Sequence, residues 1–391
     1  MNVTDRHALA ADIVFDGASV RHDFAVAIEG EHIAAILPAR ELPNEIAVRR
    51  LPAGAWLAPG FIDVQVNGGG DVLFNDAPDP EGIAAIVAAH RKFGTTALLP
   101  TLISDTPEKM RRARDAVQAL LGRNPSVLGM HFEGPFLSPQ KPGVHDPAMI
   151  RAPEPADRAL VTSLRGGVTL VTLAPEALPQ NFIRTIAAAG VRVALGHSVA
   201  TYAQTRAALD EGLTGFTHLF NAMRPLAARE GGPIAAALEC ADAFYGLIVD
   251  GEHVSPAVLR LALRGAGHPM LVTDAMPPVG GTRASFMLYG QKIEVRERRC
   301  TRADGTLAGA AIDMATAVRN CVRLLDLPLT DAIRLATEAP ARFLGLADRL
   351  GRLAPGFRAD MIALDPDAVQ ILTTWVAGKE CTPAAAATRA L

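Results

Sequence analysis

The sequence predicts a (β/α)8 barrel with a small β-sandwich domain built from both chain termini. Three observations lead there. From about Trp56, eight short apolar runs alternate with longer Ala-rich segments of helical periodicity. The runs are nearly continuous in hydrophobic residues, as parallel strands covered on both faces require. The residues before Trp56 and after about Gly351 differ: short alternating stretches are joined by tight turns.

The eight strand candidates are residues 56–66, 95–103, 127–136, 168–174, 191–197, 215–220, 244–249 and 270–274. Residues 80–93, 107–121, 179–189, 200–211 and 256–264 read as helices between them. Several open on Pro, whose missing N–H costs nothing in a first turn. Several stop at Gly, as in Phe93-Gly94 and Ala189-Gly190. Eight such units match the roughly 250 residues of a barrel. At the termini, residues 12–15, 24–29 and 32–37, then 359–364 and 371–376, read as short strands. Asp16-Gly17, Glu29-Gly30, Pro355-Gly356 and Ala377-Gly378 supply the turns. The expected division is residues 1–55 with 351–391 for the β domain and 56–350 for the barrel. The Ala-rich tail after Pro383 is expected to fray.

Composition narrows the function classes. The 391 residues are 49% hydrophobic and 20% charged, enough for one large core and a small second domain. The net charge of −3 is spread without a basic stripe, which disfavours nucleic acid as a partner. No uncharged apolar stretch approaches the roughly 18 residues of a membrane helix. Residues 1–7 lack the apolar run of a signal peptide. Cys240, Cys300, Cys321 and Cys381 show no metal-type spacing, so reduced thiols in a cytoplasmic protein are expected.

Glu133, His197, His218 and Asp274 carry the chemical signal. Each ends or closely follows one of the apolar runs. In an open sheet those strand ends would lie along a line; in a barrel they converge on one mouth. One carboxylate and two imidazoles there can hold a divalent metal, zinc being the leading choice, with a coordination position left open. A further carboxylate, Asp274, can then move a proton, which points to hydrolysis by metal-activated water. A lone strand histidine is more often a satisfied core residue. Two at equivalent positions of consecutive βα units weaken that reading. Strand alternation puts His131 on the same side as Glu133. Ser198 can cap the helix from Ala200. His145 and His253 sit in loops on the same face, as donors for a polar substrate or as exposed loop residues. Asn221, Ala222 and Arg229 belong to a segment that could bind an anion.

Several segments together carry a resemblance. They are Pro59-Gly60-Phe61-Ile62-Asp63-Val64-Gln65-Val66-Asn67-Gly68, His131-Phe132-Glu133-Gly134-Pro135, Gly196-His197-Ser198, Thr217-His218-Leu219-Phe220-Asn221-Ala222-Met223, Asp250-Gly251-Glu252-His253 and Val272-Thr273-Asp274-Ala275. In this order they resemble the amidohydrolase superfamily, and within it the deacetylases of amino-sugar phosphates. The resemblance implies hydrolysis of N-acetylglucosamine 6-phosphate to glucosamine 6-phosphate and acetate. N-acetylgalactosamine 6-phosphate or another N-acyl substrate is the alternative, and a non-catalytic assembly protein on the same fold is a distant one. It also implies roles: Glu133, His197 and His218 as metal ligands, Asp274 as general acid/base, and His145 at the acetyl carbonyl. Val144, Asn221, Ala222, Arg229, His253, Leu307, Ala308 and Gly309 would face the sugar phosphate. A homodimer is implied as well. Many superfamily members end the first strand with His-x-His and bind a second metal. Here those positions are Gln65 and Asn67, whose neutral amides are poor ligands, so one tightly held metal is expected.

Overall fold

The computed structural model describes residues 6–296 and 299–381. The tail after Pro383 and the first five residues lie outside these. Eight parallel strands form the central sheet: β1 (Phe61–Val66), β2 (Thr95–Ile103), β3 (Gly129–Glu133), β4 (Val168–Leu173), β5 (Arg192–Leu195), β6 (Gly215–Phe216), β7 (Phe244–Leu247) and β8 (His268–Leu271). They are ordered consecutively around the sheet, and a parallel bridge from Val66 to Ala275 joins its two edges. The result is a (β/α)8 barrel whose strand interiors are almost wholly buried.

Each strand is followed by a helix: α1 (Pro80–Arg91), α2 (Pro107–Leu120), α3 (Pro155–Val161), α4 (Phe182–Ala188), α5 (Tyr202–Asp210), α6 (Gly232–Glu239), α7 (Pro256–Ala262) and α8 (Met314–Leu325). Local chemistry sets their starts. The side chains of Asp79, Thr106 and Asp313 accept from the free N–H groups of the first turns of α1, α2 and α8. Thr201 and Gln204 form a capping box that starts α5 at Tyr202. Ser198, expected as that cap, instead donates to Glu176.

Besides α3, α6 and α8, which were not among the expected helices, and a β8 that begins at His268 instead of residue 270, two larger features differ from the sequence expectation. The run 56–66 divides at Gly60. Trp56–Pro59 pairs with Arg6–Phe15 and Met361–Asp365 in the terminal sheet, and only Phe61–Val66 enters the barrel. A Cβ at Gly60 would strike the side chain of Thr96, so this crossing admits only glycine. Hydropathy alone could not find the break, because both halves are apolar. The second feature is an inserted four-stranded antiparallel sheet between β8 and α8: Ser285–Leu288, Gln291–Arg296, Arg299–Thr301 and Leu307–Ala310. It packs Leu288, Ile293, Cys300 and Ala308 against Leu73, Ile103 and Met276 at the barrel rim.

Both termini build one eight-stranded sheet. Its strand Arg6–Phe15 is shared: His7–Ala10 pair with Ala47–Arg50, while Ile13 and Val14 pair with Trp56 and Leu57. The sheet therefore forks and encloses a core of its own, including Leu9, Val26, Ile33, Leu57, Met361 and Trp375. Among the described residues no helix is long and apolar enough to cross a membrane, and all four cysteines are free.

Candidate active site

The C-terminal ends of β3, β5, β6 and β8 bring Glu133, His197, His218 and Asp274 to one mouth. Glu133 Oε1 lies 3.1 Å from His197 Nε2 and 3.0 Å from His218 Nε2, and the two Nε2 atoms are 3.2 Å apart. His197 Nδ1 meets the carbonyl of Lys141 at 2.9 Å. A carbonyl only accepts, so Nδ1 holds the proton and Nε2 turns a lone pair toward the cluster. Three electron-rich atoms in a triangle with edges of 3.0–3.2 Å match tetrahedral zinc. Bonds of about 2.0–2.1 Å give ligand separations of ~3.3 Å. Among the described residues these three are the group able to hold a cation. All three are buried.

The backbone is strained where the chemistry sits. His197, His218 and Asp274 have φ of 51°, 30° and 51°. This left-handed region is unfavourable for side chains with a Cβ and persists only where packing over-determines it. Each residue follows the last residue of its strand by two or three positions. The turn out of the strand aims its side chain at the barrel axis rather than outward.

Asp274 sits against two amides. Gln65 Nε2 and Asn67 Nδ2 both donate to its Oδ1, at 3.1 and 2.6 Å. Gln65 Nε2 also lies 3.1 Å from Glu133 Oε2. The N–H groups thus point at the carboxylate oxygens that a second cation would need. Oδ1 is saturated, and Oδ2 is the oxygen left to exchange a proton. Burial, and then the charge of Glu133, push Asp274 up to about 6 in the absence of a cation. Burial would also raise Glu133, but the imidazoles of His145, His197 and His218 gathered around it hold it well below the usual range. Burial would lower His218, and the hydrogen bond and charge of Glu133 reverse that and raise it.

Other residues complete the pocket, a cavity of about 400 Å³. His145 is buried, with Nε2 3.9 Å from Glu133 Oε1. His253 Nδ1 is 2.6 Å from Asp250 Oδ2, whose other oxygen accepts the backbone N–H groups of Glu252 and His253. Val144, Asn221, Ala222, Leu307 and Gly309 line the cavity as the sequence suggested. Ala308 does not; strand alternation turns it into the core of the inserted sheet. Arg229 is exposed and outside the pocket. The walls also include Asn67, Ile103, Gln140, Lys141, Met276 and Thr306. Of these, Gln140 and Lys141 had a signal, since they immediately precede the His145 loop. His131 lies one layer below, with Nε2 2.7 Å from Thr172 Oγ1 and Nδ1 3.3 Å from Thr101 Oγ1. Burial pushes it down to about 4, so it is a neutral floor to the site.

Beneath the mouth, Asp63 on β1 is fully buried and joins β1 to β8. It accepts from Thr273 Oγ1 at 2.5 Å and from the backbone N–H of Gln65 at 3.1 Å. Burial pushes its carboxyl up to about 7. A folded value above the unfolded one favours the protonated, folded protein. Its stabilising contribution is complete below about 4 and is lost as pH rises through about 7. Asp63→Asn is therefore expected to lose more stability relative to wild type at pH 4.5 than at pH 8. Denaturant midpoints at the two pH values measure this; a gap that widens with rising pH contradicts the assignment.

The fold and the clustered donors define a metal-dependent hydrolase of the barrel type. The amidohydrolase family model matches residues 56–381, and the chain belongs to that family. It is 43% identical over 334 residues to the N-acetylgalactosamine-6-phosphate deacetylase of Shewanella sp. (strain ANA-3), covering 84% of each chain. It is 36% identical over 379 residues to the N-acetylglucosamine-6-phosphate deacetylase of Haemophilus influenzae, covering 96% of this chain and 99% of the relative. The crystal structure of N-acetylglucosamine-6-phosphate deacetylase from Pasteurella multocida superposes with a TM-score of 0.92 at 34% identity, covering 96% and 99% of the two chains.

Proposed function

We propose that the protein hydrolyses the acetamide of N-acetylglucosamine 6-phosphate, releasing glucosamine 6-phosphate and acetate. The observation that carries this reading is the meeting of the Glu133–His197–His218 cluster with Asp274 and His145 at one polar mouth. Near-full-length likeness to deacetylases of that substrate supports it. The 43% identity to a deacetylase of the galacto epimer favours N-acetylgalactosamine 6-phosphate as the second reading.

Glu133, His197 and His218 would hold one divalent cation, zinc, for which one carboxylate oxygen and two imidazole nitrogens are suitable donors. Such a cation acidifies water and polarises an acyl oxygen. The protein's own groups do the rest. Asp274 takes the proton of the attacking water on Oδ2, while Gln65 and Asn67 hold Oδ1 still. His145 donates from Nε2 toward the acyl oxygen as negative charge gathers there. Asp274 then delivers its proton to the nitrogen as the C–N bond breaks, and the free amine and acetate leave. His253, tied through Nδ1 to Asp250, turns its other nitrogen to the sugar. Asn221 and the Ala222 backbone are assigned to the sugar phosphate, and Arg229, outside its own chain's pocket, is assigned to the phosphate across the homodimer interface. We place the enzyme in the cytoplasm as a homodimer, as the resemblance to the amino-sugar phosphate deacetylases implies.

Acetate release after metal reconstitution, measured on both epimers with and without the 6-phosphate, tests the proposal. Preference for an unphosphorylated sugar would sink it, and preference for the galacto phosphate would select the second reading. Arg229→Ala is expected to raise KM for the phosphorylated sugar about tenfold or more, with kcat little changed. An unchanged KM would remove Arg229 from phosphate recognition.

A further inference from the structure

The orientation of His145 is set from outside the site. Ser104 directly follows β2, and its backbone N–H points at His145 Nδ1 from 3.2 Å. Its Oγ lies 2.7 Å from the same nitrogen. An amide N–H can only donate, and the nearer hydroxyl can donate with it, so the two together favour a lone pair on Nδ1. Imidazolium has a proton on both nitrogens and does not fit this arrangement. The neutral ring therefore holds its single proton on Nε2, the nitrogen that faces the Glu133 cluster.

Ser104 is itself held. Its carbonyl accepts from the Tyr289 hydroxyl at 2.5 Å. Tyr289 occupies the turn between the inserted strands Ser285–Leu288 and Gln291–Arg296, with φ of 49°, and its ring reaches back to the barrel rim. A second arm of the same insert holds the residue before the histidine: Arg302 Nη2 donates to the Val144 carbonyl at 2.7 Å. Gly134 leaves room for the serine hydroxyl, because a Cβ there would strike Ser104 Oγ.

We propose that Ser104 is a positioning residue that sets the tautomer of His145, with Tyr289 of the inserted sheet holding Ser104 in place. The proposal rests on the donor role assigned to His145 above. The tautomer matters because only an Nε2–H can donate to a developing oxyanion; a ring with its proton on Nδ1 would present a lone pair and repel it. Partners that orient an active-site imidazole typically contribute about 10- to 100-fold to activity. The insert thereby gains a task although it contributes no acid, base or cation ligand.

The test is ¹⁵N NMR of histidine-labelled, metal-reconstituted protein, with His145 assigned by loss of its signals in His145→Gln. Wild type should show Nδ1 as acceptor and Nε2 protonated. Ser104→Ala keeps the backbone N–H but removes the closer donor. The amide left behind, at 3.2 Å, still favours a lone pair on Nδ1 but less strongly, so a fraction of the Nδ1–H form should appear and kcat should fall about tenfold, with KM within about twofold. Ser104→Thr should restore both readings, and thermal melts should show all variants folded. Tyr289→Phe should move kcat in the same direction by a smaller factor. A protonated Nδ1 in wild type overturns the proposal. So does a Ser104→Ala enzyme with unchanged kcat, or one whose kcat falls without a change of tautomer. Full activity of His145→Gln would instead remove the donor role of His145. The resting-enzyme spectrum needs no substrate, so the two failures are distinguishable.

Discussion

Asp274→Asn is expected to retain the cation and lose turnover by about 10²–10⁴-fold, the usual contribution of a positioned acid/base. The substitution is isosteric, and its amide oxygen can still accept from Gln65 and Asn67, which hold Oδ1 in the native protein. Geometry and donor set are preserved; only the proton-accepting oxygen is lost. The wild-type pH profile gives an independent check. The base must be ionised, so kcat/KM is lost as pH falls through its pKa. Burial and Glu133 push that value up to about 6 without a cation. A bound cation opposes the rise, so the acid limb of the loaded enzyme should fall at or below about 6. Metal content together with single-turnover acetate release measures the effect. Near-normal rates would remove Asp274 from the reaction.

Stripping the cation is the second large effect. Chelation should abolish acetate release to below about 1% of the loaded rate, and roughly one equivalent of Zn²⁺ per chain should restore it. The single equivalent follows from Gln65 and Asn67, whose N–H groups point at Asp274 Oδ1 and Glu133 Oε2, where a second cation would need bare oxygen. Two equivalents that both survive dialysis would contradict this. Stability should move too: a ligand at about 100 times its Kd adds ~2.7 kcal/mol, read as a rise in Tm. Protons compete for the same nitrogens. Glu133 raises the affinity of His218 for a proton in the cation-free protein. Cation affinity should therefore weaken as pH falls, and a pH-independent Kd would argue against His218 as a ligand.

Much of the fold could be read without coordinates because barrel strands are buried on both faces. Burial leaves nearly continuous apolar runs, and seven of the eight barrel strands fall within the predicted stretches; the eighth, His268–Leu271, starts two residues before 270–274 because His268 and Pro269 interrupt the apolar run. The inserted sheet was not foreseen. Its strands are three to six residues long and half-exposed, so no run stands out. The break at Gly60 was hidden for the opposite reason: strands of two sheets abut with no polar residue between them. At the site, Glu133, His197, His218 and Asp274 were legible from their place after strands. Ser104, Tyr289 and Lys141 were not assigned roles, because each acts through a contact distant in sequence.

Residue order alone thus specified the alternation of strands and helices, and hence that strand-end side chains would converge on one mouth. Those patterns depend on local burial and on caps a few residues apart. Which oxygen of Asp274 is free, where the His145 proton sits, and that Arg229 lies outside its own chain's pocket were decided by packing. Such features arise between side chains from separate βα units, where distances of a few tenths of an ångström separate a hydrogen bond from a mere neighbour.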